Sequence, residues 1–166
     1  MQHVVAMLLD GSGINEVTRG ILGAAIEVHR ELGPGLLESV YLPCLEFELT
    51  ARGLPFVVQR AIPIIYKGAP IGASYRIDLI VADCVVVEIK SVTALTAVHE
   101  AQALTYLRLT DCPVALLINF NVPRLMDGVR RLINSRSIKR LAGVSSDKNK
   151  PQRNEGAETR REDSGA

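Results

Sequence analysis

The chain has 166 residues, 48% of them hydrophobic, which is enough for one domain with an apolar core of its own. Its formal net charge of +1 gives no general electrostatic reason to bind nucleic acid or a membrane. Three cysteines without paired spacing favour the reducing cytoplasm over a disulfide framework or a zinc site, and no apolar run approaches the roughly 20 residues that would span a bilayer.

Two helices are predicted in the first third of the chain. Residues 1–12 give no strong signal and are interpreted as a loose leader. From Asn15, interpreted as an N-cap, apolar residues recur at steps of three and four until the Gly-Pro-Gly run at 33–35 ends the helix. A second helix is expected from about Leu36 to Arg52. Pro43 within it requires either a kink or a start late enough to place the proline in the first turn.

The hydrophobic period then changes from 3.6 to 2, which predicts three consecutive strands. They are expected at 56–65, 71–81 and 85–92, with turns at 67–68 and 82–84. A helix that Thr96 can cap runs to about Leu109. The continuous apolar run at 113–120 is typical of a strand buried on both faces.

The last folded element is predicted to be an amphipathic helix after Pro123, with Met126, Val129 and Ile133 inward and arginines outward. Residues 121–140 carry 6 basic residues against 1 acidic residue, so any basic patch should come from this segment. Residues 141–166 are polar and charged, and a disordered tail is predicted there. The folded domain at 13–140 is thus expected to be an α/β sandwich around a mixed sheet.

The hairpin at 75–90 holds the residues with chemical potential. If it turns symmetrically about Asp83, Asp78 lies opposite Glu88, and the two-residue period of a strand puts Lys90 on the same face. The opposite face is apolar and is predicted to be core. Its residues are Ile77, Leu79, Val81, Val85, Val87 and Ile89.

Two opposed carboxylates repel each other unless a proton or a cation lies between them. Oxygen ligands with open positions suit Mg²⁺ or Mn²⁺, which take one or two carboxylates plus water and phosphate oxygens. Lys90 could then orient or help to deprotonate the attacking water and neutralise charge on the phosphate. The alternative is a structural salt bridge of Lys90 with Glu88 or Asp78. The excess of carboxylate over lysine and the apolar setting count against it.

These residues resemble a known motif. Asp78, nine intervening residues and then Glu88-Ile89-Lys90 are similar to the bipartite motif of the PD-(D/E)XK nuclease superfamily, with Ile77 in place of the proline. The resemblance extends from about residue 15 to residue 134.

Two further motifs point the same way. Gly35, Glu38 and Tyr41 fit the GxxExxY signature of one bacterial family within that superfamily. Gln102 and Tyr106 resemble the QxxxY element that follows the lysine in RecB-like members. Each motif alone is weak, but three in the right order are quite specific.

The resemblance implies a restriction-endonuclease-like αβββαβ core, in which helices flank a mixed central sheet. The metal ligands that it implies, for Mg²⁺ or Mn²⁺, are Asp78, Glu88, Ile89 through its backbone carbonyl, and Glu38. Lys90 would assist the attacking water. Gln102 and Tyr106 would stand beside the site on the following helix. Apart from the resemblance, the spacing of three residues between Glu38 and Tyr41 predicts that Tyr41 packs under Glu38.

The residue spacing supports the helical placements only in part. Gln102 and Tyr106 share a helix face, but a solvent-facing Gln102 and a Tyr106 packed in the core remain alternatives. Glu38 could instead be an acidic residue that the helix macrodipole favours at an N-terminus.

Two functions remain open. The first is a Mg²⁺-dependent nuclease that hydrolyses phosphodiester bonds of DNA, or of RNA, with no membrane partner and with a homodimer as one way for so small a domain to hold a duplex. The residues expected to contact the phosphate backbone are Arg76, Arg124, Arg130 and Arg131, although a solvated arginine face is the default interpretation of a basic helix. The second is a catalytically silent module on the same fold that binds nucleic acid or a protein.

Overall fold

The computed structural model describes residues 12–141. Residues 1–11 and 142–166 lie outside the described residues, and they hold almost all of the predicted leader and tail. The elements in chain order are α1 (Ser12–Leu32), α2 (Glu38–Ala51), β1 (Phe56–Tyr66), β2 (Ala69–Val81), β3 (Val85–Lys90), α3 (Ala97–Thr110), β4 (Val114–Asn119), a 3₁₀ turn (Leu125–Gly128), β5 (Val129–Ile133) and α4 (Ser135–Leu141).

The five strands form one mixed sheet in the order β1-β2-β3-β4-β5. Neighbouring strands are antiparallel except β3 and β4, which are parallel and are joined by α3 as the crossover helix. The predicted α/β fold, with a restriction-endonuclease-like αβββαβ core around a mixed sheet, is confirmed.

Helices cover both faces of this sheet. α1 and α2 pack on one face, where the core includes Ile21, Tyr41, Leu45, Leu79 and Leu116. α3 packs on the other face, where the core includes Ile80, Val86, Ala103, Leu107 and Ala115. Every residue of β4 is buried, as the continuous apolar run predicted. Within residues 12–141, no helix is both long and apolar enough to cross a membrane.

Both hairpins close with tight turns that contain two residues in left-handed backbone conformation: residues 67–68 join β1 to β2, and the three residues 82–84 join β2 to β3. Lys67 and Gly68 have φ angles of 49° and 84°, and Ala82 and Asp83 have φ angles of 49° and 53°. Positive φ at both central residues matches the right-handed twist of the flanking strands. The second turn sets the β2–β3 register at Val81↔Val85, Ile80↔Val86 and Leu79↔Val87, which is the predicted symmetry about Asp83.

The prediction that Ile77 shares a face with Leu79 is wrong. Ile77 is buried, but it packs with Ile80 on the α3 side, whereas Leu79 packs on the α1/α2 side. The alternation of β2 is interrupted at Asp78, because β1 is irregular opposite it, where Gln59 has a φ of 48°. The other five residues of the predicted apolar face all lie in the α1/α2 core, as expected.

The prediction of a helix after Pro123 is also wrong. Leu125–Gly128 form the 3₁₀ turn, and Val129–Ile133 form β5, which pairs with β4. Met126 and Ile133, which were expected to face inward, are exposed. Without β5, the apolar β4 would present an unpaired edge, and a short strand carrying two arginines is a common way to cover such an edge.

Smaller differences concern where elements begin and end. α1 begins at Ser12, so Asn15 lies in its first turn and not at its N-cap. α2 begins at Glu38 and continues through Pro43, which lies in the second turn of the helix. β3 ends at Lys90, two residues earlier than predicted.

Candidate active site

β2 and β3 separate at the end of their hairpin that is remote from the turn, and Asp78 lies where they part. The backbone pairing ends at Leu79↔Val87. Beyond it, Oδ2 of Asp78 accepts the backbone N–H of Ile89 at 2.8 Å. In a continued ladder, backbone groups would make the bonds between the two strands. A side chain therefore replaces the backbone as the link between the strands, and this contact fixes the carboxylate against β3.

Glu88 and Lys90 form a buried ion pair on the α3 side of the sheet. Strand alternation puts both on the face of Val86, which packs in the α3 core. Lys90 Nζ donates to Glu88 Oε1 at 2.6 Å. Glu88 is only 3% exposed, and its second oxygen, Oε2, is buried without a hydrogen-bond partner among the described residues.

Burial raises the pKa of Glu88 to about 7, and the negative charge of Asp78 adds to the rise. The contact with Lys90 opposes it but does not cancel it. Burial also raises the pKa of Asp78, although the Ile89 N–H and the Lys90 charge act in the other direction. The site therefore holds more negative charge than one ammonium compensates.

Lys90 remains a cation at neutral pH. Burial alone would lower the pKa of this ammonium, but the hydrogen bond to Glu88 and the charges of Glu88, Glu38 and Asp78 raise it above its ordinary value. An ammonium held in this way donates hydrogen bonds and neutralises charge, and it is not available as a proton acceptor.

Glu38 approaches the other residues from the N-terminus of α2. Its Oε1 accepts the backbone N–H of Ser91 at 3.1 Å, one residue beyond Lys90. The Ser91 hydroxyl donates to the carbonyl of Leu36, so two bonds tie the end of β3 to the start of α2. Glu38 is exposed, and its charge contributes to the pKa shifts of Asp78 and Lys90.

Tyr41 fixes the loop that leads into α2. Its hydroxyl donates to the carbonyl of Gly33 at 2.7 Å and accepts the N–H of Leu36 at 3.1 Å. The fully buried ring stacks on Phe120, with ring centroids 4.4 Å apart. Gly35 in this loop has a φ of 95°, which side-chain-bearing residues rarely adopt. Tyr41 therefore supports Glu38 through the loop.

Gln102 and Tyr106 lie on the face of α3 that approaches the site. Gln102 Nε2 donates to the Tyr106 hydroxyl at 2.7 Å. Tyr106 is buried in the α3 core, and burial raises the pKa of its hydroxyl, with the charge of Glu88 as the next contribution. Tyr106 therefore combines the two interpretations that the sequence left open, core packing and proximity to the carboxylates.

The four predicted phosphate-binding arginines do not form one surface. Arg124 pairs with Asp127 at 3.7 Å. Arg131 donates to Asn15 Oδ1 at 2.9 Å, and Arg130 precedes it on β5, so the two side chains point to opposite faces of the sheet. Arg76, the fourth arginine, lies on β2 between Tyr75 and Ile77. Both neighbours pack on the α3 side, so strand alternation directs Arg76 away from α3.

The donor set fits a divalent cation. A buried ion pair is favourable only when further hydrogen bonds satisfy its remaining oxygens, and Glu88 Oε2 has no such bond among the described residues. Mg²⁺ typically takes one or two carboxylates and keeps several waters, and carboxylates are the donors that Asp78 and Glu88 offer. Within residues 12–141, no group of three or more His, Cys, Asp or Glu side chains is placed to hold a metal, so Glu38 does not complete a three-ligand group.

Two residues at the site were missed in the sequence. Ser91, which binds Glu38, follows the lysine of the bipartite motif directly. Asn119 is a fully buried polar residue at the end of β4, beside Lys90 in the parallel pair. A single amide in the apolar run at 113–120 was the available signal, because buried polar groups need partners.

The mixed sheet and the buried carboxylate–lysine cluster at its open hairpin define a nuclease-like α/β protein. A family-wide comparison matches residues 15–132 to the PD-(D/E)XK nuclease superfamily. The chain belongs to this superfamily, as its bipartite motif predicted. The comparisons with curated proteins and with solved structures returned no match. Nucleases of this superfamily generally use divalent metal ions.

Proposed function

We propose that this chain is a Mg²⁺- or Mn²⁺-dependent nuclease of the GxxExxY family that hydrolyses phosphodiester bonds in DNA. The observation that carries the proposal is the state of Glu88. One of its oxygens is bound to Lys90 and the other is buried without a partner among the described residues, and its pKa is raised to about 7. A buried carboxylate of this kind gains most from a cation.

The proposed roles follow from the contacts of each residue. Asp78, Glu88 and the backbone carbonyl of Ile89 would hold the metal ion, which supplies charge stabilisation at phosphorus and lowers the pKa of a bound water. Lys90, a cation at neutral pH, orients the attacking water and neutralises charge on the phosphate. Because Glu38 does not complete a three-ligand group with Asp78 and Glu88, its proposed role at the outer edge of this set is to bind a water of the metal ion.

Gln102 and Tyr106 close the site on the side of α3. Their mutual hydrogen bond fixes the amide of Gln102, which leaves its remaining polar groups for water or a phosphate oxygen.

The proposed substrate class follows from the superfamily and from the four arginines that are expected to contact phosphate. Duplex or single-stranded DNA is the proposed substrate, and RNA is the alternative within the same chemistry. Phosphate contacts from Arg76, Arg124, Arg130 and Arg131 would come from separate surfaces, so one protomer offers no continuous basic track through these four. A homodimer that unites two such surfaces is therefore part of the proposal. The three free cysteines fit action in the cytoplasm.

A catalytically silent module that binds nucleic acid or protein is the second candidate. One observation favours it: within residues 12–141, no three acidic, histidine or cysteine side chains converge on one point. In that case, the Glu88–Lys90 pair would be a structural ion pair whose free oxygen is met by water.

A cleavage assay separates these candidates. Supercoiled, linear and single-stranded DNA, and RNA, are incubated with Mg²⁺ or Mn²⁺. Asp78→Asn and Lys90→Ala should each abolish product formation, as should a chelator. The matched control is Asp83→Asn, the same chemical change at the turn of the same hairpin. Asparagine tolerates the left-handed conformation of Asp83, so this variant should cleave like the wild type.

Thermal unfolding with Mn²⁺ reports on the metal site without a substrate. Saturation at about 100 times the dissociation constant should raise the free energy of unfolding by about 2.7 kcal/mol in the wild type and in Asp83→Asn, and not in Asp78→Asn. Cleavage that persists in Lys90→Ala or with chelator would assign the activity elsewhere. Unchanged stability with Mn²⁺, together with no cleavage, would favour the silent module.

A further inference from the structure

Asn119, the last residue of β4, binds the chain segment that follows Lys90. The side chain is almost fully buried, with 1% of the residue exposed. Its Nδ2 donates to the carbonyl of Val92 at 2.8 Å, and its Oδ1 accepts the N–H of Val92 at 3.0 Å. The same oxygen accepts the N–H of Asn121 at 3.2 Å. One amide therefore satisfies both backbone groups of a residue that has left the β3 ladder.

The position of Asn119 is itself fixed from two directions. It pairs with Lys90 in the parallel ladder, and the next residue, Phe120, donates its N–H to the Lys90 carbonyl at 2.8 Å. On the other side, Gly128 lies so close that a Cβ there would be 2.3 Å from the Asn119 carbonyl oxygen. Such an approach is open only to glycine. The main chain of Asn119 is thus fixed by other backbone atoms and not by flexible side chains.

The segment that Asn119 holds also binds Glu38. Ser91 lies between Lys90 and Val92, and it donates its N–H to Glu38 Oε1 at 3.1 Å. The Ser91 N–H belongs to the Lys90–Ser91 peptide, whose carbonyl accepts the Phe120 N–H, and Asn119 holds the next peptide through the Val92 N–H. The two bonds fix the backbone of Ser91 from both sides. A continuous set of contacts runs from the end of β4, through residues 91–92, to the acidic residue of α2.

We propose that Asn119 is a positioning residue of the metal site: by holding both backbone groups of Val92, it acts together with the Phe120–Lys90 bond to fix Ser91, whose N–H binds Glu38, and so keeps that carboxylate beside Lys90. The proposal rests on the proposed function for the role of Glu38, but the contact itself is tested without metal or substrate. Only an amide side chain offers a donor and an acceptor together in the geometry of a peptide group. Aspartate lacks the donor, and leucine lacks both.

The first experiment measures the amide resonance of Ser91 by ¹H–¹⁵N NMR in the metal-free full chain. A hydrogen bond to a carboxylate is charge-assisted and is stronger than one to a neutral group, so Glu38→Gln should shift this resonance. Asn119→Leu should move it at least half of the way to its position in Glu38→Gln. Asn119→Asp keeps the shape and the accepting oxygen, and it should move the resonance in the same direction. If Asn119→Leu does not fold, the shift of the Ser91 resonance is measured in Asn119→Asp instead.

Asn134 supplies the matched control at the far end of β5. Its Nδ2 donates to the Leu107 carbonyl at 3.1 Å, and its Oδ1 accepts the Ser137 N–H at 3.4 Å. Asn134→Leu therefore removes similar side-chain bonds to backbone from the same sheet, away from Glu38. The Ser91 resonance should stay within the experimental error of its wild-type position. An equal shift in both asparagine variants, or no shift in the Asn119 variants, would overturn the proposal.

The second experiment measures Mn²⁺ affinity by calorimetry in Asn119→Leu, Glu38→Gln and the double variant. Groups that orient metal ligands typically change affinity about 10- to 100-fold when removed, so each single variant should weaken binding by about 10-fold. If Asn119 acts through Glu38, the double variant should be no weaker than Glu38→Gln alone. Losses that multiply would show independent effects and contradict the proposed route. Absence of Mn²⁺ binding in the wild type would refute the proposed function, while the Ser91 resonance would still decide whether Asn119 positions Glu38.

Discussion

The two ends of the β2–β3 hairpin share a backbone but carry opposite kinds of side chain. At the turn end, Val81 pairs with Val85 and Ile80 with Val86, and all four side chains are buried in the two apolar cores. At the open end, the ladder has stopped, and a side chain makes the next bond between the strands. The charged groups there are the buried carboxylate of Glu88, the half-buried carboxylate of Asp78 and the half-buried ammonium of Lys90.

The difference indicates which end stabilises the fold and which end serves its chemistry. Paired β-branched residues on both faces lower the free energy of the folded state. The buried Glu88, whose pKa is raised, works against it, because the folded state holds the charged form less well than water does. Residues that break the local rules of packing are expected at functional sites. Separate variants of each end can test this division.

The largest effect on stability is expected at the turn end. Ile80, which is 1% exposed, contacts the α3 core, so Ile80→Ala should lower the free energy of unfolding by about 2–5 kcal/mol in urea denaturation. Ile71 provides the control on the same strand, since it is 53% exposed. Ile71→Ala should change stability by less than about 0.5 kcal/mol. Equal losses at both positions would contradict the assignment of the stabilising role to the turn end.

The next effect concerns the open end and depends on pH. The pKa of Glu88 is about 7 in the folded chain against an ordinary value of 4.5, so between these pH values the folded state keeps a proton that the unfolded chain loses. The free energy of unfolding should therefore fall as the pH rises through this window. Glu88→Gln stays neutral, and relative to the wild type it should gain about 1–3 kcal/mol between pH 4.5 and pH 8.

Urea denaturation of the metal-free proteins over this pH range measures the gain. Glu100→Gln, at a half-buried position in the first turn of α3, is a control for the loss of one negative charge outside the Glu88–Lys90 pair. A parallel pH dependence in the wild type and Glu88→Gln would mean that the pKa of Glu88 is not raised in the folded chain. The proposal that Glu88 is a metal ligand would then lose its main support.

Much of the fold could be predicted from hydrophobic periodicity, because α1, α2 and the central strands have matching apolar patterns. The short helix α4 was not predicted as a separate element. The segment after Pro123 could not be predicted, since Met126, Val129 and Ile133 fit the spacing of a helix, while β5 forms because β4 needs a partner at its edge. That need is tertiary and leaves no local pattern. The register of the second hairpin was predictable because the short turn at 82–84 is centred on Asp83.

The positions of the site residues could be predicted where strand alternation holds, and the prediction failed where the alternation breaks. Glu88 and Lys90, two residues apart on β3, meet as expected. The interruption of β2 at Asp78 depends on the conformation of Gln59 in the neighbouring strand, which the sequence does not reveal. Long-range hydrogen bonds such as that of Ser91 with Glu38 span 53 residues and have no periodic signature.

The smallest effect is expected where the open end meets α3. The hydroxyl of Tyr106 accepts a hydrogen bond from Gln102, so Tyr106→Phe should lower the free energy of unfolding by about 0.5–1.5 kcal/mol. If this bond orients Gln102 at the reacting phosphate, the variant should also reduce kcat for DNA cleavage by about 10-fold with KM little changed, which corresponds to about 1.4 kcal/mol of transition-state stabilisation.

Tyr75→Phe is the matched control, because it removes a hydroxyl from a neighbouring ring. The Tyr75 ring packs against Tyr106 with centroids 5.7 Å apart. Tyr75→Phe should leave kcat unchanged, since Tyr75 makes no hydrogen bond to Gln102 in the described part of the chain. Urea denaturation and steady-state cleavage kinetics on the two variants and on Gln102→Ala decide the question. A Tyr106→Phe variant that loses stability but retains full kcat would make the hydroxyl a feature of the α3 core. In that case, the chemistry of the open end would be confined to the residues of the hairpin and Glu38.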